Sequence, residues 1–325
     1  MSGKISTYIF AATIYSLSFV TGCAQTQIAG LALRFTPGES TDYKVTTEAQ
    51  DSIQFEGSLL EDPTIKSKNN QRNQNRTEII FTQRIKNVDD KGNAITNIKI
   101  TGLKCLSVYQ NNTALDFDSS EEKDKNNPLM KLVGQNYTIK ISPAGQVISV
   151  VDANEVRAAV GDNQQTAQKT LMLLSEDEIR KRHSIPALPD VQRNTMQIGD
   201  KWSSLNTFSF RQMGPKAYER IYTLKKIENI NNRQIAIIEM NAIPSPETAQ
   251  QGQEEQAMSL ISNMFDNIET YTGKLTFDMT AGRVEKYFEK LQTEWIIAEP
   301  NPKNSKEPDV IRLKAVRSYK LEKVD

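Results

Sequence analysis

The chain has 325 residues, with 40 Lys and Arg against 40 Asp and Glu, one histidine and two cysteines. Zero formal net charge argues against a nucleic-acid binder, which carries a basic excess or stripe, and one histidine cannot build a His-rich zinc site. At this length about three quarters of the unfolded surface can be buried, so the core needs no disulfide staple. Roughly 300 residues exceed the usual 100–200 of one domain and predict two domains or one duplicated body.

Lys4 precedes an apolar run from Ile5 to Phe19, the layout of an export signal. The run is shorter than the roughly 20 apolar residues of a membrane span. It closes on Phe19-Val20-Thr21-Gly22-Cys23, which resembles the lipobox of bacterial lipoproteins. The resemblance implies lipid on Cys23, cleavage before it, and residues 1–22 as a signal peptide. An acylated cysteine with more than one chain anchors stably. Ala24 and Gln25 follow with no aspartate, which by the same resemblance favours the outer membrane. Residues 23–34 read as a tether, a first β-rich half as 35–151, a helical connector as 152–190 and a second β-rich half as 191–325.

Alternating β-branched, aromatic and polar residues predict strands over Asp42–Glu48, Ser52–Leu59, Arg76–Lys86, Ala94–Val108, Gln135–Ser142 and Gln146–Val151. Asp89-Asp90-Lys91-Gly92-Asn93 and Pro143-Ala144-Gly145 are hairpin turns, which make their flanking strands antiparallel. The polar stretches Pro63 to Asn75 and Ser119 to Asn127 read as solvated loops. Cys105, within an apolar run, reads as a buried small hydrophobe.

Between Asp152 and His183 the period becomes helical. Val156, Ala159 and Val160 share one face, Leu171, Leu173 and Leu174 continue a stripe, and Ser175 with Glu178 forms a capping box. Gly161-Asp162-Asn163 separates the first helix from the second. His183 ends a basic run at a helix C-terminus and reads as solvated. The Pro-rich exit from Ile185 to Asp190 is the best domain boundary.

Strand patterns return over Asp200–Phe210, Tyr218–Ile227, Arg233–Ile243, Tyr271–Met279, Arg283–Ile297 and Val310–Glu322, with a short amphipathic helix over Glu254 to Phe265. Gln135 to Val147 parallels Thr272 to Val284: in each an alternating strand meets a Ser/Thr-x-Ala-Gly-like turn and returns with Val. This supports a duplicated antiparallel sheet. The expected fold is α+β, mainly antiparallel, a curved half-barrel-like sheet with a few helices between its halves.

Leu115 to Ser119, Asn127-Pro128, Leu129 to Leu132, Gly134 to Val151 and Ile198-Gly199-Asp200-Lys201-Trp202 resemble a family of uncharacterised bacterial exported proteins and lipoproteins, which implies no known activity. More loosely, the architecture looks like the half-barrel of periplasmic lipoprotein carriers, whose sheets cradle acyl chains against helices.

No G-x-S-x-G elbow, Walker loop or Rossmann fingerprint is present, and no cofactor is implied. Acid pairs such as Glu121-Glu122 and Glu254-Glu255 read as solvent-facing charges, so an enzyme is not expected. Leu205, Phe208 and Phe210, like Tyr287, Leu291 and Trp295, sit mostly at even spacing, as an inward sheet face requires, which favours core packing over an exposed sugar platform. Leu171, Leu174, Trp202, Phe208, Tyr287 and Trp295 are the candidate lining of an apolar ligand cavity. The expected function is non-catalytic binding of a lipid or other apolar ligand; the alternative is an envelope protein–protein interaction module. Expected partners are the membrane, through the lipid on Cys23, and that ligand or protein, with no nucleic acid.

Overall fold

In the computed structural model of the protein, the structure describes residues 28–159, 164–190, 195–210, 213–245, 266–299 and 308–324. Cys23 and the signal segment, Gly161-Asp162-Asn163 and the expected helix over Glu254 to Phe265 lie outside the described residues.

The strands are β1 (Ile28–Ala29), β2 (Ser40–Glu56), β3 (Gln71–Val88), β4 (Ala94–Tyr109), β5 (Asn112–Asp118), β6 (Asn136–Ile141), β7 (Val147–Asp152), β8 (Met196–Gln197), β9 (Lys201–Ser209), β10 (Pro215–Ile230), β11 (Arg233–Ser245), β12 (Asp266–Asp278), β13 (Arg283–Glu299) and β14 (Asp309–Val324). The helices are α1 (Pro63–Lys68), α2 (Asn154–Ala158), α3 (Gln164–Leu174) and α4 (Glu176–His183). Twelve of the strands form one antiparallel sheet, curved and not closed, in the order β7-β6-β4-β3-β2-β14-β13-β12-β11-β10-β9, with β5 beside β4. The fold is α+β and half-barrel-like.

Most neighbours in sequence pair, several of them through short turns. Asn231 and Asn232, both at positive φ, make the two-residue loop between β10 and β11, the conformation whose twist matches the flanking strands. The two halves meet at the centre: β2 pairs β14 from Asp42 opposite Val324 to Glu56 opposite Val310. This leaves β7 and β9 on opposite edges.

Three local expectations need correction. First, β2 runs unbroken through Ala49-Gln50-Asp51, because those residues pair with β14 on one side and β3 on the other; pairing on both flanks overrides weak local propensity. Second, the stretch from Pro63 to Asn75 is not a loop throughout. Asp62 accepts a hydrogen bond from the Thr64 amide at 2.7 Å, Pro63 opens α1, and β3 begins at Gln71; Pro at the first helical position and an Asp cap are standard helix-start chemistry.

Third, the described part of residues 23–34 is not a tether. Ile28–Ala29 pairs with Met196–Gln197, and Leu31 and Leu33 are buried. The Leu33 amide donates to the Pro143 carbonyl at 2.7 Å, and the Arg34 amide to the Gly282 carbonyl at 2.9 Å. Pro143 and Gly282 belong to the two matching hairpin turns, so this segment straps both halves at one end of the sheet. Gly282 has φ +66°, and a Cβ there would stand 2.6 Å from Arg34 Nε, so close approach of the strap requires glycine.

One apolar core joins the inner sheet face to the helices: Val45, Ile79, Phe81, Ile98 and Leu275 of the sheet pack in the same cluster as Val156, Leu174 and Ile179. Cys105 is buried there, and burial raises its thiol pKa.

Candidate ligand cavity beneath the helices

Helix α4 is capped at its start and fixed to the sheet at two points. Ser175 Oγ caps its start by accepting from the Glu178 amide at 3.3 Å, as the capping-box pattern requires. Arg180 Nη1 donates to the Val147 and Ile148 carbonyls of the edge strand β7 at 2.8 and 2.9 Å, satisfying acceptors that an open edge would otherwise leave free. Tyr319 of β14 donates to the Arg182 carbonyl at 2.8 Å, tying the end of α4 to the middle of the sheet. Arg157 Nε donates to the Leu174 carbonyl at 2.7 Å and so ties α2 to the end of α3.

His183 is buried, not solvated. Its Nε2 lies 2.6 Å from the Tyr137 hydroxyl, and its ring meets Phe81 edge-on at 4.8 Å between centroids. Burial, and then the charge of Arg182, holds its pKa well below the usual histidine range, so it serves as a neutral packing group.

Between α3, α4 and the sheet lies a cavity of about 860 Å³. Its wall draws on β2 (Val45, Ala49), β3 (Thr77, Ile79), β9 (Phe208), β10 (Arg220), β13 (Tyr287) and β14 (Tyr319). β3 and β9 stand seven positions apart in the sheet order, so the sheet curls around this space and the wall is its concave face. The helices contribute Met172, Leu173, Lys169 and Arg182.

The floor under the second half is a closed polar network. Glu289 Oε2 accepts from the Tyr271 and Tyr287 hydroxyls at 2.9 Å each and meets Arg220 Nη1 at 3.3 Å. Arg220 Nε donates to Ser204 at 3.1 Å and its Nη2 to the Leu205 carbonyl at 3.2 Å. Burial alone would lower the Arg220 pKa, but Tyr222, Glu289, Tyr287 and Tyr271 around it raise it. Burial and then Glu289 push Tyr287 well above the tyrosine range. A second carboxylate, Glu269, accepts from Tyr218 at 2.9 Å and pairs with Lys216 at 2.7 Å. These groups hold one another in place.

Of the residues singled out in the sequence, Phe208 and Tyr287 line the cavity. Leu174 is buried in the core and is not part of the wall. Trp202 stacks on Tyr222 at 5.8 Å, and Trp295 meets Phe210 edge-on at 5.0 Å; neither reaches the cavity. Leu171 belongs to α3, but its side chain lies outside those described. The cations of the wall and the Tyr–Glu–Arg floor were not anticipated. Tyr287 and Glu289 share one strand parity, but Tyr271 and Arg220, which complete the cluster with Glu289, come from other strands, 18 and 69 residues away.

Among the described residues no group of three or more His, Cys, Asp or Glu side chains could hold a metal ion, and no helix is long and apolar enough to cross a membrane. No curated protein matches the chain. A solved structure titled "Lipid-protein interactions in lipovitellin" is similar to it over 90% of this chain, at 10% identity and a TM-score of 0.44. The chain spans only 26% of that protein's chain. Residues 91–284, more than half of the sequence, match the model of a family of unknown function, DUF6263, and the chain belongs to that family.

Proposed function

We propose that the protein is a non-catalytic binder of a lipid or other apolar ligand, held at the bacterial cell envelope by lipid on Cys23. The observation that carries this is the cavity of about 860 Å³ between helices and concave sheet, within the roughly 300–1,000 Å³ of small-molecule sites. Val45, Ile79, Leu173, Phe208 and Tyr287 give it the apolar and aromatic wall such a ligand needs. The titratable groups of its floor are engaged with one another, which supports holding a ligand over transforming it.

Cys23 precedes Ile28 by five residues, a reach of at most about 17 Å. A lipid on Cys23 would therefore keep the strapped hairpin end of the sheet close to the bilayer. The outer membrane is the favoured location.

The test is to express residues 24–325, compare native with denatured mass, and extract co-purifying lipid. A stoichiometric apolar ligand is expected. An empty protein that takes up no added fatty acid or phospholipid would sink the proposal and turn attention to an interaction module. For the anchor, Cys23→Ser should move the full-length protein from the membrane to the soluble fraction; unchanged membrane association would refute lipidation.

A further inference from the structure

Arg182 projects from the last turn of α4 into the wall of the cavity and is only 7% exposed. Its Nη2 donates to the Leu173 carbonyl, Tyr137 lies beside it, and its Nη1 has no hydrogen-bond partner among the described residues. A full positive charge is thus buried against neutral groups. Such a charge is costly unless something of opposite sign meets it.

Two of the three acids of the same wall are paired with cations: Glu289 meets Arg220 and Glu178 pairs with Lys181 at 3.1 Å, while Glu48 accepts from the neutral Gln74 at 2.6 Å. The wall carries five cations, Lys169, Arg180, Lys181, Arg182 and Arg220, against these three acids. Arg180 pairs with Glu176 at 2.6 Å. Among the described residues Lys169 and Arg182 have no acidic partner, and both line the cavity. The same cavity has an apolar wall of Val45, Ile79, Leu173, Phe208, Tyr287 and Tyr319.

Building on the ligand-binding function proposed above, we infer that the occupant is an amphiphile with an anionic head. The head, a carboxylate or phosphate, is met by Arg182 and Lys169, and the tail runs along the aromatic wall of the sheet. A guanidinium donates to either head through two N–H groups.

Three ligands with one tail separate head from chain: oleate, oleyl phosphate and oleyl alcohol, titrated into residues 24–325. Both anions should bind at least about tenfold more tightly than the alcohol. Arg182→Gln should weaken the anions by about 30-fold or more, as loss of a buried charge partner does, and leave the alcohol within twofold. Lys169→Gln, at a partly exposed position, should weaken the anions by about three- to fivefold, as for a partly screened pair. Whichever anion loses more in Arg182→Gln identifies the head as carboxylate or phosphate. Equal binding of all three ligands would overturn the anionic head and leave the cavity function standing; no binding by any would overturn both. If Arg182→Gln does not fold, Lys169→Gln decides, and an unchanged ratio of anion to alcohol affinity refutes the inference.

Discussion

His183 makes the stability of this fold depend on pH in a direction that can be worked out. The imidazole is buried, bonded to Tyr137 at 2.6 Å and packed on Phe81, with Arg182 beside it. Burial first and the neighbouring charge second keep it neutral well below the ordinary pKa of 6.5. The unfolded chain takes up a proton as pH falls through 6.5, and the native chain does not. The unfolded state then binds one more proton, so acidification destabilises the fold by about 1.4 kcal/mol per pH unit. From pH 7.5 to 5.0 the loss is about 2 kcal/mol from this residue alone. Urea unfolding of residues 24–325 at both pH values measures it, with His183→Gln as the control that keeps a hydrogen-bonding group near Tyr137 without titrating. The variant should be less stable at pH 7.5 yet lose about 2 kcal/mol less on acidification. Parallel losses in the two proteins would show that His183 is solvated or charged in the native state.

Two further substitutions probe the strap and the floor. Leu31→Ala should cost about 2–5 kcal/mol in urea unfolding, the usual price of truncating a buried leucine, and a chain starting at residue 35 should be less stable than one starting at residue 28; a flexible tether would show neither effect. Glu289→Gln removes the countercharge of Arg220, whose side chain is 7% exposed, and should destabilise the protein by about 3 kcal/mol or more in thermal unfolding. An unchanged melting temperature would mean that the Tyr271–Tyr287–Arg220 cluster does not depend on that charge.

Much of the strand and helix layout was legible in the sequence because alternation and helical periodicity are local signals. The runs Ala94–Val108 and Arg233–Ile243 and the cap at Ser175 needed no tertiary knowledge. What stayed hidden depended on contacts distant in sequence. Leu31 and Leu33 look like part of a tether until the turns at Pro143 and Gly282 are known to flank them. His183 looks solvated until α4 is laid on Phe81 and Tyr137. Trp202 and Trp295 shared an inward parity with Tyr287, yet parity places a side chain on a face and cannot say whether that point is filled by Tyr222 and Phe210 or left open beneath a helix.

The order of the strands explains why a cavity lies where it does. In chain order the first half is built largely by hairpins that move outward from β2 to the edge strand β7, and the second by hairpins that move inward from the edge strand β9 to β14. β7 therefore ends on one edge, and β9 must begin on the other. The chain from Asp152 to Lys201 has to cross the sheet, and it carries α2, α3 and α4 with it. Their apolar residues Val156, Leu174 and Ile179 join the core of the inner face, which fixes the side on which the crossing is made. The helices contact the sheet at the β7 edge through Arg180 and at the centre through Tyr319. The concave space beyond these contacts, toward Phe208 and Arg220, is not filled by α3 and α4. A cavity bounded by helices on one side and aromatic strands on the other is thus a consequence of joining an outward-growing and an inward-growing meander at their first and last long strands.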